Sequence, residues 1–426
     1  MPQPEHSLHQ VSDQVAPQNS RQVPWPSSGL TRVPFRIYSD ADQYALEQER
    51  IFKGPTWSYL CLAVEVPNPG DYLVTSVGEV PVVVARSRTG ELNAFVNRCA
   101  HRGSLLCLKR RGNADTITCV YHGWSYDLAG NLTGVAFERG VKRQGGMPEG
   151  FRRSEHNLRK LRVAEFCGLI FGSFDQDMPD LETYLGPEIA ARIRRVLRRP
   201  VKVLGRTTQV LPNNWKLYFE NVKDSYHASI LHLFFTTFEI SRLSQKGGIV
   251  VADDGGSHAS YSIMDRTIDN ADYREQALRS AKDDYRLEDA SVVEGVDELG
   301  DGIMMQILTV FPGFVLQQHL NSIAVRQLVP RGVERSELAW TILGFADDDA
   351  AMTERRLKQA NLVGPAGYIS MEDGAVGGFV QRAVHGLDED SGLLMMGGSD
   401  SRSQEFRATE ASVRGFWKKY RALMDA

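Results

Sequence analysis

Two short clips, Cys99-Ala-His101 and Cys119-Val-Tyr-His122, commit a segment in the first third of this 426-residue chain to folding around metal. Two thiolates and two imidazoles also suit zinc, but zinc-type spacing pairs Cys with Cys and His with His. Here each clip is mixed, so each of two loops can give one ligand to each of two irons. That is the donor set of a Rieske [2Fe–2S] centre, whose histidines raise its potential far above that of an all-cysteine cluster. The flanks His101-Arg-Gly103 and His122-Gly-Trp124 add glycines that let backbone approach a cluster closely. The chain is therefore expected to move single electrons. Cys107, between the clips and without a matching partner, reads as a buried apolar residue.

The length allows two domains. Five cysteines, two of them committed to metal, are too few for a disulfide framework and argue for a reducing compartment. With 49 basic and 53 acidic residues there is no electrostatic case for nucleic acid as a partner. No charged-then-apolar start marks a secretory signal, and apolar runs such as Val80–Ala85 are too short for a membrane. The expected setting is cytoplasmic.

Residues 1–30, rich in Gln, Ser and Pro, are expected to form a disordered tail. A helix follows within 31–55, capped by Ser39 or Asp40, stopped at Gly54-Pro55 and packed on the catalytic domain. Short β-branched runs alternate with turn signals over 56–178, which predicts a small antiparallel β-domain carrying both clips. The remainder, 179–426, mixes helices with strands predicted at Ile307–Phe311, Val315–Leu328 and Glu337–Phe345. The fold class is α+β, a curved antiparallel sheet with helices segregated around it. The acidic stretch Glu288–Asp301 reads as a solvated loop.

A second metal signal lies in Pro212–His232. Trp215, Tyr218, Phe219, Val222 and Tyr226 share an apolar helical face, and Glu220, Asp224 and His227 share another. His227 and His232, five apart, would diverge by about 140° on a regular helix. Ligation of one ion therefore requires the helix to end or widen near Ala228–Leu231. Two histidines and a carboxylate make the facial triad of non-haem iron(II) oxygenases, with positions open for O₂ and substrate. The carboxylate is sought in Gly364–Gly374, where spacing alone does not choose between Glu372 and Asp373.

With Cys99-x-His101…Cys119-x₂-His122, Asn221-x₂-Asp224-x₂-His227-x₄-His232 and Glu372-Asp373-Gly374 together, the chain resembles the large (α) subunits of Rieske non-haem iron aromatic-ring-hydroxylating oxygenases, from about residue 30 to the end. The resemblance implies a Rieske β-domain and a helix-grip catalytic domain. It implies a [2Fe–2S] cluster on Cys99, His101, Cys119 and His122, and mononuclear Fe(II) on His227, His232 and Asp373. It makes Asp224 the carboxylate that bridges His227 to a Rieske histidine, His122, of a neighbouring subunit. It also implies a small β subunit, an α3β3 or α3 assembly and an NAD(P)H-dependent reductase, since the chain has no dinucleotide-binding motif of its own.

Stretches such as Gly134–Lys142, Val310–Gln318 and Asn321–Gln327 narrow the resemblance to members acting on aromatic carboxylic acids, terephthalate foremost, with salicylate 5-hydroxylase and anthranilate or halobenzoate oxygenase subunits as the alternatives. A flat dianion needs an apolar slot and a cation for each carboxylate, and Arg326 and Arg407 are the candidate forks. His319 is a further candidate for the same cavity. The expected reaction is cis-dihydroxylation with O₂. A plain Rieske electron carrier is the alternative of another class, disfavoured by the triad.

Overall fold

A computed structural model describes residues 22–238, 240–263, 271–278, 285–387 and 389–424. Residues 1–21 of the expected tail lie outside these. The tail does not reach residue 30: Val23 is buried and donates its N–H to Gln43 Oε1, and Trp25 meets Trp417 edge-on at 5.2 Å.

The first helix, Ala41–Glu47, starts where Asp40 accepts the backbone N–H of Gln43, and it continues through a widened turn over Gln48–Phe52. Its apolar residues Tyr44, Ile51 and Phe52 enter the main core, Phe52 against Trp215 at 5.2 Å.

The β-region forms a seven-stranded antiparallel sheet in the order Ser58–Leu62, Leu169–Ser173, Lys160–Phe166, Leu92–Val96, Val80–Arg86, Asp71–Val77, Arg111–Asn113. A small sheet of Ile117–Thr118, Ser125–Tyr126 and Leu132–Gly134 carries the second clip between its first two strands. The strand Val80–Arg86 shows why its valine run is continuous. Val83 and Ala85 face a cluster that includes Cys99, Cys119 and Trp124, while Val82 and Val84 face the core shared with Trp215 and Trp340.

The second sheet also has seven antiparallel strands: Val201–Leu211, Ser336–Phe345, Ser322–Pro330, Phe314–His319, Ile303–Val310, His258–Ile263 and Gly247–Val251. Helices Trp215–Asn221 and Tyr368–Ala383 pack together beside it. Its register aligns three rows of side chains on one face. One row is Trp340, Arg326, Val315, Thr309 and His258; the next is Ile342, Ala324, Gln317, Ile307 and Ser260; the third is Ser322, His319, Met305 and Ser262.

Two expectations need correction. Val315–Leu328 is two strands, turned at Leu320–Asn321, where Leu320 takes φ 54°. Glu288–Asp301 is not simply solvated: Glu298 is drawn in by Arg356, at 2.8 Å, a buried arginine it shares with Asp348.

Candidate metal centres

The two clips fold alike. In each, the N–H of the glycine four residues on donates to the cysteine carbonyl: Gly103 to Cys99 and Gly123 to Cys119, both at 3.0 Å. The cysteine N–H in turn donates to the residue after that glycine, Ser104 or Trp124, at 2.8 Å. Both glycines have positive φ, +75° and +67°, which closes the loop tightly. Both cysteines are buried, while His101 is exposed and His122 half-buried, with ring centroids 4.5 Å apart. Trp124 stacks under His101 at 4.9 Å, and Tyr126 places its hydroxyl 3.5 Å from Cys99 Sγ.

The donor set fits a two-iron cluster. Thiols lie inward and imidazoles outward, as a cluster with one cysteine-bound and one histidine-bound iron requires. Among the described residues, the one group of three or more Cys, His, Asp or Glu with ligand atoms all within 4.8 Å of one another lies elsewhere, so these four do not crowd one ion as a zinc site would.

That compact group is His227, His232 and Asp373. Asp373 Oδ1 lies 3.4 Å from His227 Nε2 and 3.2 Å from His232 Nε2. Asn221 Nδ2 donates to the same oxygen at 3.2 Å. The helix Trp215–Asn221 ends before His227, a short helix spans Ala228–Leu231, and His232 sits in a break with ψ 78°. The distortion that convergence demands therefore brackets Ala228–Leu231: the four residues are themselves helical, and the irregularity falls at either end. Because the helix stops at Asn221, Glu220 does not share a face with Asp224 and His227. It is half-buried, accepting from Tyr38 Oη at 2.8 Å and from Trp417 Nε1.

Each histidine has its remote nitrogen held. His227 Nδ1 is 3.1 Å from Asp224 Oδ2, whose other oxygen accepts the Tyr226 N–H. His232 Nδ1 is 2.7 Å from Glu372 Oε2. Glu372 and Asp373 thus part company, Asp373 to the inner nitrogens and Glu372 to an outer one. Burial disfavours charge on His227, yet the Asp224 and Asp373 carboxylates overcome it and raise its pKa to about 10. Burial likewise opposes the Asp373 carboxylate, but the two imidazoles hold its pKa well below the usual range. Such a cluster keeps protons where a divalent cation would sit, and three converging N, N, O donors suit non-haem iron.

A cavity opens between these residues and the sheet face, lined by Trp340, Arg326, Gln317, Ile307, His319 and Met305 on one side and Phe235, Ile369 and Arg407 on another. Arg326 is buried over the Trp340 ring at 4.3 Å; its Nη1 donates to Tyr218 Oη at 2.6 Å and its Nε has no partner. Arg407 is buried, donating to Ser241 Oγ at 3.2 Å and to the Arg242 carbonyl, with Nε again unpartnered. Neither has a carboxylate partner among the described residues. Burial lowers the Arg407 pKa to about 10. His319 stacks on Phe235 at 4.5 Å, with Nε2 unpartnered, and burial pushes its pKa down to about 3.

Sequence reasoning had no role for Trp340 or Gln317, which the sheet register brings to this cavity, or for the Tyr218 hydroxyl as the partner of Arg326. Glu372 carried a signal, a second carboxylate beside the candidate ligand.

Comparison with known proteins agrees with this layout. Residues 56–143 match a Rieske [2Fe–2S] domain, and residues 197–426 match the catalytic domain of ring-hydroxylating alpha subunits. The chain is 60% identical over 402 residues to the alpha 2 subunit of the terminal oxygenase component of terephthalate 1,2-dioxygenase from Comamonas sp., covering 94% of this chain and 97% of that one. It is 43% identical to the large subunit of anthranilate 1,2-dioxygenase from Burkholderia cepacia (96% and 97% covered), and 39% identical to the large oxygenase component of salicylate 5-hydroxylase from Ralstonia sp. (96% and 97%). The fold is that of naphthalene 1,2-dioxygenase from Rhodococcus sp., at TM-score 0.76 and 24% identity over 92% of this chain and 94% of that chain.

Proposed function

The chain belongs to the ring-hydroxylating oxygenase alpha subunits with a Rieske [2Fe–2S] domain, and on that premise we propose that it cis-dihydroxylates an aromatic carboxylic acid, terephthalate foremost. The single observation that carries this reading is the pair of buried arginines with no carboxylate partner among the described residues, in the cavity that holds the His227, His232 and Asp373 cluster. The identity to the Comamonas terephthalate subunit supports it.

Cys99, His101, Cys119 and His122 would hold the cluster; His227, His232 and Asp373 would hold the iron. When bound, these groups supply the one-electron steps that let O₂ react with an arene. The protein's own residues do the rest. Arg326 and Arg407 each take one carboxylate as a charge-assisted fork. Trp340, Ile307 and Met305 give the ring an apolar slot. Asp224 holds His227 Nδ1 and reaches toward His122 of a neighbouring subunit. Overall, the arene and O₂ gain two electrons and two protons and give a dihydrodiol. NAD(P)H supplies the electrons through a separate reductase. A small β subunit and an α3β3 or α3 ring complete the assembly. No helix among the described residues is long and apolar enough to cross a membrane.

The test is aerobic turnover of the reconstituted α and β subunits with reductase and NADH, offering terephthalate, salicylate, anthranilate and 2-halobenzoate side by side. The expected result is a dihydrodiol from terephthalate, with NADH and O₂ consumed in step. A phenol would make the chain a monooxygenase of the salicylate 5-hydroxylase kind. Turnover on mono-acids alone would remove the two-arginine clamp.

A further inference from the structure

His232 is held at both ring nitrogens by consecutive residues of one helix. Glu372 Oε2 lies 2.7 Å from Nδ1, and Asp373 Oδ1 lies 3.2 Å from Nε2. We propose that Glu372 is a positioning residue for the mononuclear iron: it fixes the tautomer and the ring plane of His232, so that Nε2 presents its lone pair to the metal. This rests on the iron assignment made above.

A neutral imidazole carries one N–H. A carboxylate accepting at Nδ1 places the proton there and leaves Nε2 free to ligate. His232 needs such a device more than His227 does. It sits in a helix break with ψ 78°, so no regular helical geometry aims its ring. Among the described residues its ring has one aromatic neighbour besides His227, Phe235, which meets it edge-on at 5.8 Å. Consecutive residues on a helix point about 100° apart. Asp373, with the shorter side chain, takes the near nitrogen, and Glu372 reaches round to the far one. The two clasp the ring from opposite sides, and rotation about its Cβ–Cγ bond breaks at least one contact. Asp224 does the same for His227 at 3.1 Å. The iron site thus has a carboxylate behind each imidazole, drawn from two different segments.

The test uses the assembled oxygenase with its cluster intact. Fe(II) affinity of the mononuclear site is measured by chelator competition, and the site geometry is read from the visible spectrum of Co(II) placed there. Glu372→Ala is expected to weaken Fe(II) by roughly 10–100-fold and to alter the Co(II) spectrum, with cluster absorption and assembly unchanged. Glu372→Gln, whose amide oxygen still accepts from Nδ1–H, should stay within about threefold of the parent and keep its spectrum. The parent affinity in Glu372→Ala would overturn the inference. So would equal damage from both variants, which would make charge and not positioning the cause, or loss of cluster or assembly, which would assign Glu372 to the fold. His232→Ala separates the two layers: if it binds Fe(II) as the parent does, the iron assignment itself fails.

Discussion

Replacing Arg407 with methionine should weaken the dicarboxylate while leaving the substrate-free protein about as stable. The guanidinium is buried with no carboxylate partner among the described residues, and the fall of its pKa from 12.5 to about 10 corresponds to about 3 kcal/mol against the charged form. Methionine removes that cost. It also strands two acceptors, Ser241 Oγ and the Arg242 carbonyl, at about 1–3 kcal/mol each. The two effects overlap in size, so the substrate-free Tm should move by only a few degrees. Binding is different. A carboxylate docked on Arg407 forms a buried charge pair, and removing one partner costs about 2–5 kcal/mol, at least ~30-fold in Kd. Calorimetric titration of Arg407→Met with terephthalate and benzoate separates the effects. Terephthalate should weaken by ~30-fold or more, whereas benzoate, docked through its one carboxylate on Arg326, should change little. An unchanged terephthalate Kd refutes the clamp, whereas equal losses for both acids would place the benzoate carboxylate on Arg407. A large fall in Tm would make Arg407 a structural residue.

Arg326→Met should weaken terephthalate and benzoate together, again by ~30-fold or more; a change for terephthalate alone would assign the arginines the other way round. Asp224→Asn should keep full iron and cluster content but stop single-turnover oxidation, checked by metal analysis and rapid-quench product assay. Full turnover in that variant would remove the bridging role. Burial pushes the Glu220 pKa up from 4.5 to about 7, against the hydrogen bonds from Tyr38 and Trp417. The folded state therefore keeps a proton that the unfolded chain has released, so stability falls as pH rises from 4.5 to about 7, by about 3 kcal/mol. Denaturant titrations across that window should lose this slope in Glu220→Gln.

Much of both candidate metal centres was legible because such chemistry needs particular side chains at particular spacings. The mixed clips show in one dimension what the two matching loops do in three. The separation of His227 from His232 itself demanded an irregular backbone. Where that irregularity fell was not legible: the apolar spacing of Trp215, Tyr218, Phe219 and Val222 runs on past Asn221, where the helix stops. The same extrapolation put Glu220 beside Asp224, although tertiary partners, Tyr38 and Trp417, draw it into the core. The hairpin inside Val315–Leu328 was hidden because its turn uses Leu320 at positive φ and no glycine. Arg326 could be named from sequence, but its neighbours could not, because Trp340 and Val315 meet it only through cross-strand register. Between Glu372 and Asp373, spacing was silent, and two distances on one imidazole distinguish them.

The helix that leads into the iron site is gripped from both directions along the chain. Glu47 accepts from Trp215 Nε1 at 2.7 Å, Lys216 Nζ at 2.6 Å and Tyr420 Oη at 2.5 Å, and Glu220 is shared between Tyr38 and Trp417. Tyr38 and Glu47 are made early on the ribosome, and Trp417 and Tyr420 are made almost last. Until the final helix is in place, Glu47 and Glu220 each lack one donor, Tyr420 and Trp417 respectively. The support of the helix Trp215–Asn221 is therefore completed only by the C-terminal end of the chain, whereas both Cys/His clips lie within the first 122 residues and are framed by their own local hydrogen bonds.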